Sequence, residues 1–431
     1  MARQMKESGI DWIGEIPSNW KVGKIKYCTT KIGSGKTPKG GSEVYAQTGV
    51  LFIRSQNVYD EGLKLDKPFF ITPEMDSEMS STRVAENDVL LNITGGSIGR
   101  SCIMPASHLP ANVNQHVSII RVRQGLVMPQ IMHYFWMSNA GKTAIDLFQT
   151  GGNREGMSAD AIANTPFLYY GMDEQKRIVY YLDKKCAQID AVISETNATI
   201  EEYKKLKQSI IAEAVTKGIQ HNRQMKPSGV DWIGKLPADW KVQRGKHLFV
   251  ETNERSIDGH EELLTVSHIT GVTPRSMKNV NMFMAESLVD YKVCHIGDLA
   301  ANTMWMWQGA IGVSKYEGVI SPSYNTYRQR NNSYYYDYLE YLLRIPNLVA
   351  TYAAYSTGIT ASRLRLYPDQ FFSIMFPVPP MSEQKEIADY LDKKCAEIET
   401  LISKKAALLE ELENYKKSLI YEYVTGKKEV Q

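Results

Sequence analysis

The stretch "DEQKRIVYYLDKKCAQIDAVIS" at residues 173–194 returns as "SEQKEIADYLDKKCAEIETLIS" at 382–403, with fourteen of twenty-two positions identical. The match continues without a gap into "LKQSIIAEAVTKG" and "YKKSLIYEYVTGK". Apolar or tolerated positions fall at Leu182, Cys186, Ile189, Ile193, Thr196 and Ile200, and again at Leu391, Cys395, Ile398, Ile402, Lys405 and Leu409. Alternating steps of four and three mark the seam of a coiled coil. Each repeat predicts a helix of roughly 45 residues, about 65–70 Å long. Asp173 and Ser382 suit N-caps, and Gly218 and Gly426 suit the stops. Within "YLDKKCA" (181–187 and 390–396) the leucine and cysteine take consecutive seam positions. The aspartate and lysines are expected to face outward, and the thiol to behave as a small buried hydrophobe.

A second repeat lies upstream. "SGIDWIGEIPSNWKV" (8–22) returns as "SGVDWIGKLPADWKV" (228–242), ten of fifteen positions identical at an offset of 220. The helical match has an offset of 209, so the first intervening segment is eleven residues longer than the second. The intervening segments, 29–171 and 249–380, barely resemble each other in sequence. The chain therefore reads as one scaffold used twice with two different inserts. "VLLNITG" (89–95), "VSIIRVR" (117–123) and "ELLTVSHI" (262–269) have strand character, while 128–139 and 335–344 are helix candidates. The expected fold is α+β: two mixed α/β domains joined by two long antiparallel coiled-coil helices as a pseudo-twofold repeat. Its segments are a first domain over 1–171, a helix over 172–218, a second domain over 219–380 and a helix over 381–431. The alternative is that each helix docks separately on its own domain.

Composition narrows the class. The 431 residues are 43% hydrophobic and 23% charged, which suits a globular chain of two or more domains. No apolar run reaches the length of a membrane span, and the first dozen residues lack the apolar core of a secretory signal. The five cysteines, Cys28, Cys102, Cys186, Cys294 and Cys395, are scattered without a CxxC pair. That pattern argues against a disulfide framework or zinc site and for a reducing cytoplasm. A net charge of +2 is low for a chain that grips duplex DNA alone.

The alternation of "WIGxxPxxWKV" with "EQKxIxxYLDxKxxxID" resembles the specificity subunit of type I restriction–modification systems. "GDLAANTMWMWQGAIGVSKYEGVISPSYNTYR" (297–328) and "STGIT" (356–360) resemble its target-recognition domains, and "NDVLLNITGGSIGRSCIMP" (87–105) and "QTGGNREGMS" (149–158) fill matching places. The resemblance implies a non-catalytic, DNA-binding subunit in which each variable domain reads one half of a bipartite asymmetric site. The helices would set the gap and dock two modification (methyltransferase) subunits. It further implies S-adenosylmethionine on those partners, and ATP with Mg2+ on restriction (translocase/endonuclease) subunits, with no cofactor in this chain. A subunit of a methylation-only or two-component system is one alternative. A duplicated coiled-coil scaffold that binds proteins and no DNA is another.

Readers of base edges are polar or basic residues on loops of the variable domains. In the first domain these are Lys36, Lys39, Arg54, Gln56, Asn57, Asn153 and Arg154; in the second, His268, Thr270, Arg275, Gln308, Arg363 and Arg365. The scaffold tryptophans Trp12, Trp20, Trp232 and Trp240 are expected to pack against the helix ends, and one of Trp305 and Trp307 to lie in a core. "GSGKT" (33–37) lacks the earlier glycine of a P-loop, having Thr30 in its place. "VPPM" (378–381) has Val378 where a methyltransferase motif needs a carboxylate or amide. The "PD" at 368–369 before "EQK" at 383–385 imitates a nuclease set, but "EQK" also occurs at 174–176 without it. No histidine pair shows metal-ligand spacing.

Overall fold

The repeated segments form helices over Met172–Lys217 and Met381–Val424. Their first turns are joined to the preceding chain by Gln175 N–H to the Gly171 carbonyl and Gln384 N–H to the Pro380 carbonyl, both 3.0 Å. Asp173 and Ser382 therefore lie inside the first turn rather than at the cap, because the helices begin two residues earlier than side-chain preference predicts. Each helix stops at a left-handed glycine, Gly218 (φ +78°) and Gly426 (φ +73°). The computed structural model describes residues 3–38, 45–149, 156–220, 222–278, 287–358 and 364–430.

The chain forms two compact units, Met1–Thr196 with Ala407–Gln431, and Asn197–Ala406. Each unit takes the start of one long helix and the end of the other. In the first, Ile178, Leu182, Cys186 and Ile189 are buried together with Leu419, Ile420, Tyr423 and Val424. In the second, Ala214 and Val215 are buried together with Ile387, Ala388 and Leu391. A start packed on an end makes the helices antiparallel within each unit. Every predicted seam side chain is inside: Leu182, Cys186, Ile189, Ile200, Leu391, Cys395 and Ile398 are buried, and Ile193, Ile402 and Leu409 are half-buried. Full burial of a leucine such as Leu182 contributes about 2–3 kcal/mol.

The two inserts, so unlike in sequence, share one fold. The first builds an antiparallel sheet in the order Ser101–Ile103, Val89–Asn92, Val117–Val122, Thr29–Ser34. The second builds Ile311–Val313, Leu299–Ala301, Asn325–Gln329, Phe249–Thr252 with the same connections. Two helices follow in each: Pro129–Met137 and Asn139–Phe148, then Tyr336–Leu343 and Pro346–Tyr355. Each insert closes with a strand, Pro166–Tyr169 or Met375–Val378, that pairs back onto scaffold strand Lys21–Lys24 or Lys241–Arg244.

The same ionic pin sits at the foot of both sheets. Asp88 accepts two bonds from Arg121 at 2.7 Å, and Asp298 accepts two from Arg328 at 2.7 and 2.8 Å. Both carboxylates are buried, and each also accepts a backbone N–H three residues upstream, from Ala85 or His295. The carboxylate raises its arginine's pKa in both cases.

Candidate nucleic-acid interface

The scaffold motif "EQK" is a clamp. Gln175 and Gln384 are buried; each amide oxygen accepts a backbone N–H (Met128 or Tyr335, both 2.8 Å). Each amide nitrogen donates to two carbonyls, Leu126 and Tyr170 or Ser333 and Pro379. Glu174 accepts the Trp20 indole N–H at 3.0 Å and a bond from Arg3; Glu383 accepts the Trp240 indole N–H at 2.8 Å and bonds from Arg223. Trp20 and Trp240 are fully buried at these helix starts. The aspartate of "YLDKKCA" is exposed in both copies, as expected of it, and it also takes up a partner from the neighbouring head. Asp183 accepts the Tyr134 hydroxyl at 2.5 Å and Asp392 the Tyr341 hydroxyl at 2.7 Å, tying each head to its helix. Seam period alone points this residue away from the partner helix, but the head folds over that flank.

The sheet of the first unit holds several loops at one end. Gly35 N–H donates to the Val117 carbonyl (3.0 Å) and Lys36 N–H to the Val113 carbonyl (3.2 Å). Buried Asn92 donates from Nδ2 to the Ser55 carbonyl (2.8 Å) and the Ser97 hydroxyl (3.1 Å). The Thr94 hydroxyl lies 2.7 Å from His116 Nδ1, and Thr94 bridges to Gly156. Loops beginning at 35, 54, 93 and 114 thus meet with the residues just after 155. Lys36, Gln56, Arg100 and Gln115 are exposed there. Arg100 sits 4.8 Å over the Tyr59 ring, with Lys64 Nζ at 4.1 Å over the same ring.

Of the residues expected as readers in the first domain, Lys36 and Gln56 are therefore brought together. Arg54 lies 3.4 Å over Phe69, its guanidinium pKa lowered by burial, and Asn57 is buried with its amide bonded to Arg54 N and the Lys64 carbonyl. Those two shape the loop. Lys39, Asn153, Arg154 and Arg363 lie outside the described residues. Arg100 escapes sequence reading although it follows a glycine-rich turn directly after an apolar strand, the one local signal that marks it.

The second-domain readers are dispersed. His268 and Thr270 are exposed at the tip of the hairpin Leu264–Ser267/Gly271–Pro274, against Arg344, which donates to the Ile269 carbonyl at 3.2 Å. Arg275 is half-buried at the hairpin's foot, its N–H on the Leu263 carbonyl at 2.8 Å. Gln308 is half-buried in the turn Asn302–Gly309, and Arg365 pairs by backbone with Thr357. That turn ends the central strand, as 92–99 does in the first unit. Neither Trp305 nor Trp307 enters the core; Met306 between them does.

The decoys have structural roles. A Cβ on Gly35 would lie 1.9 Å from the Val113 carbonyl oxygen, so "GSGKT" carries a glycine for close strand approach. Pro379 and Pro380 lead into the second long helix, and Asp369 lies in the first turn of the helix Pro368–Ser373. Among the described residues no three His, Cys, Asp or Glu side chains are grouped to hold a metal ion, and no helix is long and apolar enough to cross a membrane. All five cysteines are free and buried, with burial pushing the Cys186 thiol up to about 11.

Residues 273–411 match the family model for the type I restriction modification DNA specificity domain. The putative type I restriction enzyme MjaX specificity subunit of Methanocaldococcus jannaschii is 22% identical over 233 residues, covering 53% of this chain and 52% of that protein. The type I restriction enzyme EcoBI specificity subunit of Escherichia coli is 24% identical over 233 residues, 54% of this chain and 44% of that one. The chain thus spans about half the length of the curated relatives it matches. Among solved structures, a chain from work on complex assembly and conformational transition of the type I R-M system matches with a TM-score of 0.70 at 16% identity, covering 96% of this chain and 99% of that one. The HsdS subunit from Thermoanaerobacter tengcongensis matches with a TM-score of 0.50 at 16% identity, covering 96% and 98%. The fold is that of type I specificity subunits.

Proposed function

We propose that this chain, with the fold and the specificity domain of type I restriction–modification subunits, is the DNA-recognition subunit of such a complex. Each unit reads one half of a bipartite, asymmetric duplex site, and the paired helices set the unread gap. The observation that carries this reading is the contrast within the pair: one sheet, one ionic pin and one helix clamp recur, while the loops at the sheet end differ. A scaffold kept and loops varied is what two recognition events of different sequence require.

The chain itself performs no chemistry in this account. Two modification subunits bearing S-adenosylmethionine methylate adenine within the site, and restriction subunits driven by ATP and Mg2+ join to translocate and cut. The low net charge fits a subunit whose partners share the phosphate grip. The test is co-expression with a modification subunit, followed by single-molecule sequencing of methylated adenines. One asymmetric bipartite motif is expected. Binding of protein partners with no DNA protected or methylated would favour a duplicated docking scaffold instead.

A further inference from the structure

The turns Asn92–Gly99 and Asn302–Gly309 have the same length and the same ends. Each begins with a buried asparagine and closes on a left-handed glycine, Gly99 at φ +84° and Gly309 at φ +87°. Their middles are opposites. In the first turn a Cβ at Gly95 or Gly96 would meet nothing within 4 Å, so the space before it is open. Counting from the asparagine, Trp305 takes the place of Gly95.

Trp305 is 48% exposed and Met304 40%, whereas Met306 is buried and anchors the turn. The Trp305 and Trp307 rings are near-parallel at 14°, with centroids 6.2 Å apart. Trp307 is in turn fixed by its indole N–H, which donates to the Met304 carbonyl at 3.0 Å. A single exposed apolar residue needs no explanation, but Met304, Trp305 and Trp307 together form an ordered apolar prominence. It stands at the sheet end that corresponds to the polar loop cluster of the first unit.

Resting on the functional reading above, we propose that Trp305 is a specificity-determining residue that packs on a thymine methyl group in the half-site read by the second unit. Duplex DNA is the occupant because the turn takes, within its own unit, the same place at the sheet end that the candidate interface takes in the first unit. The C5-methyl of thymine is the apolar group that a base pair presents in the major groove. Gln308 lies in the same turn, and a carboxamide is the side chain that pairs with adenine, so one turn carries both halves of an A·T readout. Insertion between base pairs is disfavoured, since a wedge is a single side chain and this ring is already set against its neighbour.

The test uses the full chain in complex with a modification subunit and duplexes carrying its methylated motif, with thymines replaced singly by uracil. One replacement in one half-site should weaken wild-type binding about fourfold, the factor for burial of one methyl-sized group. Trp305→Ala should bind thymine and uracil duplexes equally, and Trp305→Phe should keep part of the difference. Thermal melting reports folding; if Trp305→Ala melts early, Trp305→Phe decides. The proposal is overturned if the half-site read by the second unit has no A·T pair, if no uracil weakens binding, or if the variant keeps the full uracil effect. Absence of any bipartite motif for the wild-type complex would instead remove the functional reading itself.

Discussion

The Lys416 ammonium reaches Asp190 on the other long helix, 2.6 and 2.8 Å from its two carboxylate oxygens. Lys416 continues the four–three spacing of the seam from Leu409 through Leu412 and is almost wholly buried, so this is a polar interruption of an apolar interface. The repeat supplies its counterpart, Lys207 with Glu399, in the second unit. Such pairs fix helix register more than they add stability. Asp190→Ala should cost about 1–2 kcal/mol in denaturant unfolding, discounted because the carboxylate is partly exposed. Lys416→Met with Asp190→Asn should recover most of it, and equal loss in single and double variants would contradict the register role.

The Glu383 clamp should be worth more. Its buried carboxylate holds the Trp240 indole and the Arg223 guanidinium at once, so Glu383→Ala strands both. A loss of about 3 kcal/mol is expected, and Glu383→Gln should retain part of the stability because an amide oxygen still accepts the indole. Chemical denaturation of the three proteins measures this.

His295 makes a pH-dependent clasp. Its ring nitrogens lie 2.7 Å from Glu317 and 3.0 Å from Glu254, which raise its pKa above 6.5, while the Ile296 N–H and His295 lower that of Glu317 below 4.5. A raised histidine pKa adds stability that is complete below the unfolded value and fades as pH climbs through the folded one. A lowered carboxylate pKa adds stability above its unfolded value and loses it as pH falls. The clasp is therefore complete between pH 4.5 and 6.5. The stability gap between wild type and His295→Ala should be widest in that window and shrink above it; a gap that grows with pH would contradict the assignment.

The cysteines should be silent. Burial raises the thiol pKa of each, to about 11 for Cys186 and about 12 for Cys102 and Cys294, so thiolate is scarce at neutral pH. A disulfide-exchange reagent should titrate none in native protein and five after unfolding. Cys186→Ala should cost about 1 kcal/mol of stability and leave DNA recognition unchanged.

The long helices were legible because helical burial repeats at a fixed period, so Leu182 through Leu409 could be placed from spacing alone. The clamp residues were visible as identities, yet their roles were not, since the partners that make the clamp, Trp20 for Glu174 and Met128 and Leu126 for Gln175, are more than forty residues away. The common fold of the inserts left little trace, because many apolar sequences satisfy one sheet; the Asp88/Arg121 and Asp298/Arg328 positions and the asparagine–glycine turn ends are among the few identities that persist. The candidate reading residues were the least legible. Exposure, not residue type, separates Gln56 from its neighbour Asn57, and the alternation in "MWMW" buries the methionine.

Lengthening both long helices by one heptad in register adds roughly 10 Å, about three base pairs of duplex rise. The unread gap in the methylated motif should widen by that amount with both half-sites unaltered. A constant gap would show that the helices are not the ruler.

The central claim, that each unit reads its own half-site, is tested most directly by exchanging residues 29–171 for the corresponding segment of another specificity subunit. Methylated adenines are then sequenced in cells that also express the modification subunit. The account predicts that one half of the motif changes while the other half and the gap stay as they were. Altered bases in both halves, or in neither, would contradict it.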